Sequence, residues 1–322
     1  MKLRLGIVFM AIAGTCLAYD AAFTYAINYG AKTKVVFHVI DDCANPVSNA
    51  FVKAGFYLNG QKGNAVHDYT GKYGFLVAER KSVGEINYWI SKDGYYETSG
   101  RLNFERNGVK DGRWQPYGAT NIVVLKRKIN PVAMYVASSP GFLNITIPVH
   151  DVSVGFDLEK CDWVPPYGGG SYSDIQLKYE LRQGAEYLDV KSMLTMSFTN
   201  ALSGAYAMTK DTYSSFPSVY AANTNAVFVQ EYRFVYDRKP DKVFENNFLS
   251  LNDYLVFRCR TKVDSKNQLV SMHYGKIYGN IDINRKGRIR ITYYFNTNAN
   301  DPNLEADTTR NLLNPRDLGF PP

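Results

Sequence analysis

Residues 173–182 read SDIQLKYELR. Ile175, Leu177, Tyr179 and Leu181 fall on one side of an extended chain; Asp174, Gln176, Lys178, Glu180 and Arg182 fall on the other. Successive side chains of a strand point to opposite faces, so this alternation predicts a strand with one dry and one wet side. Residues 189–199 repeat the pattern through Val190, Ser192, Leu194, Met196 and Phe198, and residues 288–295 through Ile289, Ile291, Tyr293 and Phe295. Segments 35–40, 50–58, 84–91, 121–127, 147–158, 226–236, 254–263 and 268–279 read similarly. Turn chemistry separates them at Asn59-Gly60, Asp93-Gly94, Pro165-Pro166 and Lys286-Gly287. Many short strands with Gly and Pro turns predict an all-β chain of sandwich or barrel type.

The N-terminus sets the expected compartment. MKLR is a basic start, Leu5 to Ala13 is an apolar run, and Cys16-Leu17-Ala18 precedes Tyr19-Asp20. That order is a secretory signal peptide whose core is too short for a membrane span, with cleavage expected near Ala18. A lipid on Cys16 is disfavoured, because Ala13 and Thr15 stand where that motif wants leucine and a small residue. No later stretch reaches the ~20 apolar residues of a membrane helix. The mature chain is therefore expected to be secreted or periplasmic. Its length, about 300 residues, suits two domains. The formal charge of +7 loses two with Lys2 and Arg4, and no dense Lys/Arg block remains. Nucleic acid is excluded as a partner; an acidic polysaccharide fits the mild basic excess.

Three cysteines follow the leader: Cys43, Cys161 and Cys259. An oxidising compartment permits one disulfide, with Cys161 and Cys259 as the candidate pair; the alternative is Cys259 as a buried thiol in YLVFRCRTK. His38, His67, His150 and His273 show no zinc spacing and no link to a nucleophile. There is no G-x-S-x-G elbow and no cofactor motif. Neither a metal nor a cofactor is expected.

Residues 155–174, GFDLEKCDWVPPYGGGSYSD, hold the densest polar group. Asp157 and Glu159 alternate with Phe156 and Leu158, which places both carboxylates on a wet strand face. With Asp162 and Asp174 they form a candidate ligand or metal rim, although no calcium-loop pattern is present. The glycines at 168–170 lack the Lys-[ST] and helix of a phosphate loop. Trp163 before Pro165-Pro166 reads as an aromatic plug under a turn. A structural corner is the favoured reading.

Segment 200–225, NALSGAYAMTKDTYSSFPSVYAANTN, reads as a long irregular loop. Tyr206, Tyr213, Phe216 and Tyr220 are its candidate binding residues, since tyrosines among small polar residues make adaptable recognition surfaces. The alternative is a loop folded back over sheet edges.

The first third carries a resemblance. VIDDCANPVSNAFV (39–52) supplies Asp41 or Asp42, then Pro46-Val47, then Ala50; DYTGKYGF (68–75) supplies Gly74-Phe75; SKDGYY (91–96) and IVVLKR (122–127) complete the set. These pieces resemble a carboxypeptidase regulatory-like domain, a transthyretin-type β-sandwich, over about residues 34–127. The resemblance implies a module that is usually a non-catalytic appendage of exported proteins. In related adhesin domains a Lys–Asn isopeptide bond forms beside a carboxylate, for which Lys34, Asn121 and Glu85 are the right residue types.

The expected organisation is a leader at 1–18, a sandwich at 19–127, and a larger antiparallel sandwich or jelly-roll-like domain of unnamed family at 128–322. The expected function is extracellular binding or surface structure without catalysis, with polysaccharide or a cell-surface protein as partner. A carbohydrate hydrolase or its accessory subunit is the alternative, and a self-assembling envelope or filament subunit the second.

Overall fold

A computed structural model describes residues 21–59, 63–137, 143–241, 245–246, 249–314 and 322. The expected leader and its cleavage point lie outside the described residues. The chain divides into two units: one runs to Lys128 and includes Tyr213–Phe216, and the other holds Ile129–Thr212 and Pro217–Pro322.

The first unit contains β1 (Ala31–Asp41), β2 (Phe51–Phe56), β3 (Ala65–Tyr69), β4 (Phe75–Ser82) and β5 (Glu85–Ser91). It continues with β6 (Thr98–Asn103), β7 (Val109–Lys110), β8 (Arg113–Trp114) and β9 (Ala119–Leu125). One sheet centres on β1, with β4 antiparallel on one side and β9 parallel on the other. The second sheet has the antiparallel order β3-β2-β5-β6. Alternation sends Val35, Phe37 and Val39 of β1 into a core shared with Val52, Ala54 and Phe56 of β2 and Ile86, Tyr88 and Ile90 of β5. Full burial of such side chains is worth about 1.5–3 kcal/mol each. Residues 21–29 form a short helix whose Phe23 meets Trp114 edge-on at 5.8 Å.

Turn chemistry locks this unit. Asp41 accepts hydrogen bonds from the backbone N–H groups of Cys43 and Asn45 at 2.9 and 2.8 Å, closing the corner after β1. Thr70 donates to the Val47 carbonyl at 2.7 Å and accepts from Ala50 N–H at 2.9 Å. Gly74 adopts φ +75°, and a Cβ there would lie 2.3 Å from the Val39 carbonyl oxygen, so only glycine fits. The segment Tyr213–Phe216 belongs to this unit through a bridge between Thr98 and Ser214 and stacking of Phe216 on Tyr96 at 4.8 Å.

The second unit begins with β10 (Val132–Ala137), β11 (Leu143–Thr146), β12 (Val154–Asp157), β13 (Asp162–Trp163), β14 (Ile175–Gln183) and β15 (Val190–Ser197). Next come β16 (Gly204–Thr209), β17 (Glu231–Arg238) and β18 (Glu245–Asn246). The last four are β19 (Asp253–Val263), β20 (Leu269–Ile283), β21 (Arg288–Phe295) and β22 (Ala306–Asn311). One sheet has the order β13-β12-β14-β15-β17-β18; the other runs β16-β19-β20-β21-β10-β22, with β11 also on β21. Phe156, Leu177, Tyr179 and Leu194 of the first sheet share a core with Phe257, Ile277, Ile291 and Tyr293 of the second.

The all-β expectation holds, and both units are two-sheet β-sandwiches. Three local expectations change. The wet face predicted for residues 288–295 is half lost, because Thr292 and Tyr294 are buried under a second apolar layer that includes Leu304 and Ala222. Of segment 147–158 only β12 is strand, and Asp151 bends the chain at φ +63°. Segment 200–225 is not wholly irregular, since β16 pairs with β19 inside it.

Candidate functional site

The acidic stretch folds into a buried cluster. β12 is four residues long and buried throughout, so Asp157 ends the strand inside the protein instead of on the expected wet face. Its carboxylate accepts from the backbone N–H groups of Glu159 (2.9 Å), Lys160 (3.1 Å), Ser171 (2.7 Å) and Tyr172 (3.0 Å). Asp174, also buried, takes Arg260 Nε at 2.7 Å, Arg260 Nη2 at 2.9 Å and Leu158 N–H at 3.0 Å. Glu159 receives Arg260 Nη1 at 2.7 Å. The guanidinium lies between the rings of Tyr172 and Phe295, 4.3 and 4.8 Å from their centroids.

Backbone geometry explains why alternation misplaces Arg260. Its φ is +49°, and the β19–β20 register shifts between Cys259 and Lys262. Such a bulge re-aims a side chain. Arg260 thus turns toward Asp174, whereas Arg258 stacks over Phe228 at 4.0 Å and donates to the Leu202 carbonyl.

Burial pushes Asp157 up, but the backbone N–H groups outweigh it and hold the carboxyl below its ordinary value. Burial dominates at Asp174 and raises it despite Arg260. Burial opposes the charge on Arg260, and its bonds to Asp174 and Glu159 overcome that opposition and raise its pKa. His273, opposite Cys259 in the ladder, is lowered by burial and by the Arg260 charge. Every charge here is consumed by an internal partner. The cluster braces the loop between β12 and β14 against β19, and its acceptors are already occupied.

The expected metal rim is therefore corrected. Asp157, Glu159 and Asp174 converge on Arg260, while Asp162 bonds the Trp163 and Gly169 N–H groups at 2.8 Å each. The Cys161–Cys259 disulfide is not formed: both thiols are free. Cys161 lies against Tyr293 and Cys259 against Asp174, so the sulfurs serve different partners. Among the described residues, one group has metal-like spacing, Asp41, Asp42 and Cys43. Arg127 fills it, with Nε 2.9 Å from Asp42 and Nη2 2.8 Å from Cys43 Sγ.

The four aromatics of segment 200–225 are divided between the two units. Phe216 is fully buried against Tyr96, which removes it from any binding surface. Tyr206 lies in β16, its hydroxyl accepting from Asn223 N–H at 2.8 Å. Tyr213 is exposed and belongs to the first unit; Tyr220 is half-buried, and its carbonyl accepts from Leu304 N–H. Lys34, Asn121 and Glu85 are likewise apart. Lys34 faces Glu79 in the ladder and Tyr117, and Glu85 pairs with Arg101 on the other sheet.

An open groove of about 420 Å³ lies on the outer face of the β3-β2-β5 sheet, within the usual ~300–1,000 Å³ of ligand pockets. Val52, Ala54 and Phe56 point inward, so Lys53 and Gly55 point out; by the same period Asn87 and Trp89 point out from β5. Lys53 is opposite both Trp89 and His67, and Gly55 is opposite Asn87 and Ala65. A Cβ on Gly55 would meet only the Asn87 carbonyl oxygen, at 3.7 Å, so the glycine leaves an unfilled floor. Trp89 is 44% exposed and Tyr57 55%. Lys53 Nζ sits 5.6 Å from the Trp89 ring centroid, a contact worth about 0.5–1 kcal/mol in the open. Lys53 has no ion-pair partner among the described residues. Asn64 spends its amide N–H groups on the Phe56 and Lys81 carbonyls, and Asn87 donates to Glu85. The signal for this site was present in GEINYWISK, where Trp89 takes the polar phase of a strand.

No protein-family profile and no curated protein matches the sequence. Solved structures show limited likeness, as three of them illustrate. A variant catechol 1,2-dioxygenase of Acinetobacter radioresistens is 12% identical over 32% of this chain and 54% of its own, with a TM-score of 0.25. For 3-chlorocatechol 1,2-dioxygenase of Rhodococcus opacus the values are 12%, 31%, 61% and 0.26. For hydroxyquinol 1,2-dioxygenase of Pseudomonas putida they are 13%, 31%, 57% and 0.24. The match spans about half the length of these proteins and assigns no activity to this chain. The non-catalytic role and the carbohydrate and carboxypeptidase regulatory-like descriptions expected from the sequence have no counterpart in these neighbours, which are named as dioxygenases, and they are not carried further.

Proposed function

We propose that the first unit holds a small molecule in the groove between Lys53, Gly55, Asn87 and Trp89. The observation that carries this reading is an exposed Trp89 and an unpaired Lys53 flanking the bare floor at Gly55. An exposed indole face and a cation without an ion-pair partner among the described residues are groups that a ligand can meet. Ligand-observed NMR tests it with a fragment set spanning acids, bases and neutral rings. Fragments that receive saturation from the native protein are expected to lose it in Gly55→Leu, whose side chain fills the floor from the solvent side. If no fragment distinguishes the two proteins, the groove is not a site.

Two further assignments are proposed on sequence pattern alone. The motifs at 39–52 and 68–75 favour the transthyretin type for the first sandwich. The leader favours export with cleavage near Ala18, which the intact mass of the mature protein tests.

A further inference from the structure

Resting on the groove reading, we infer that the ligand is a single flat ring that carries a carboxylate at one end and a hydrogen-bond donor at the other. The two ends of the groove differ in chemistry. At the first rung, Lys53 and Trp89 are cross-strand neighbours, so a cation and an apolar ring face adjoin. An acid attached to a flat ring satisfies both together. The next outward rung holds Gly55 and Asn87. Asn87 gives one Nδ2 hydrogen to Glu85, and its side-chain carbonyl oxygen is left to accept. Asn64 on the rim has spent both of its donors, on Phe56 and Lys81, and it too offers a carbonyl oxygen. The far end therefore asks the ligand for a donor such as a ring hydroxyl. Outward rungs of one strand lie ~7 Å apart, about the span from a carboxylate to the opposite substituent of a six-membered ring. Gly55 between the rungs lets the ring lie against backbone.

Tryptophan fluorescence reads this directly, because Trp114 and Trp163 are buried and Trp89 is exposed. The probes are 4-hydroxybenzoate and its neutral isostere 4-hydroxybenzamide, titrated at pH 7.5 into native protein, Lys53→Met and Gly55→Leu. The expected result is saturable quenching by the acid and at least tenfold weaker binding of the amide. Lys53→Met should reduce that preference to within twofold, and Gly55→Leu should abolish both responses. Equal affinity for acid and amide, or a preference that survives Lys53→Met, overturns the ligand class while loss in Gly55→Leu still upholds the groove. Absence of saturable quenching by the acid in native protein overturns the class. So does saturable quenching by cellotriose alone. In both cases the fragment comparison between native protein and Gly55→Leu judges the groove separately.

Discussion

Among the cations that rest against aromatic rings in this protein, Arg260 and Lys53 have opposite surroundings. Arg260 is walled in by Tyr172 and Phe295 and bonded to Asp157, Glu159 and Asp174. Lys53 lies over Trp89 at the surface, with no ion-pair partner among the described residues. The difference follows from desolvation. A charge taken out of water must be matched by neighbours, so a buried constellation that looks chemically rich is saturated. A charge left in water carries no such requirement and remains available to a ligand.

The contrast makes ranked predictions. Arg260→Met deprives the buried Asp174 of its ion-pair partner and should cost about 3–5 kcal/mol in urea denaturation. Lys53→Met should change stability by less than ~0.5 kcal/mol. Equal shifts for the two variants would erase the distinction. Asp157→Asn should come next, costing about 1–3 kcal/mol at pH 7 because backbone donors lose their acceptor. Its pH dependence has a definite sign. The folded carboxyl is held below the unfolded value of ~3.9, so its contribution is complete above that pH and is lost as pH falls through the folded value. The stability gap between native protein and Asp157→Asn should therefore narrow in acid; a gap that widens would show that burial, not the N–H cage, governs this carboxyl. Trp89→Phe should be the mildest, within ~0.5 kcal/mol of native, yet it should remove most iodide-accessible tryptophan emission. Retained quenching would mean that Trp89 is covered.

The sandwich architecture was legible because one-face burial writes a period of two, as in β14 and β15. It failed where both faces are covered: Tyr294 sits on the phase that reads as wet, and it is buried. The acidic cluster was half legible. Asp157, Glu159 and Asp174 stood out by composition, but their partner lies about a hundred residues away in sequence, on a strand whose bulge inverts its phase. Arginines inside the apolar run YLVFRCRTK were the available clue, since a buried guanidinium needs acceptors such as carboxylates or carbonyls around it. The groove was the least visible. A lysine, a glycine and a tryptophan on two strands become neighbours only through register, which sequence periodicity does not supply.

The return of Tyr213–Phe216 to the first unit bears on how the chain is made. Phe216 stacks on Tyr96, and Lys126 donates to its carbonyl across 90 residues. Domains generally fold as they emerge during synthesis, N-terminal first. Here the N-terminal sandwich stays unfinished until a large part of its successor has left the ribosome. A fragment ending at Lys128 would lack that late closing piece and show bare aromatic surface at Tyr96.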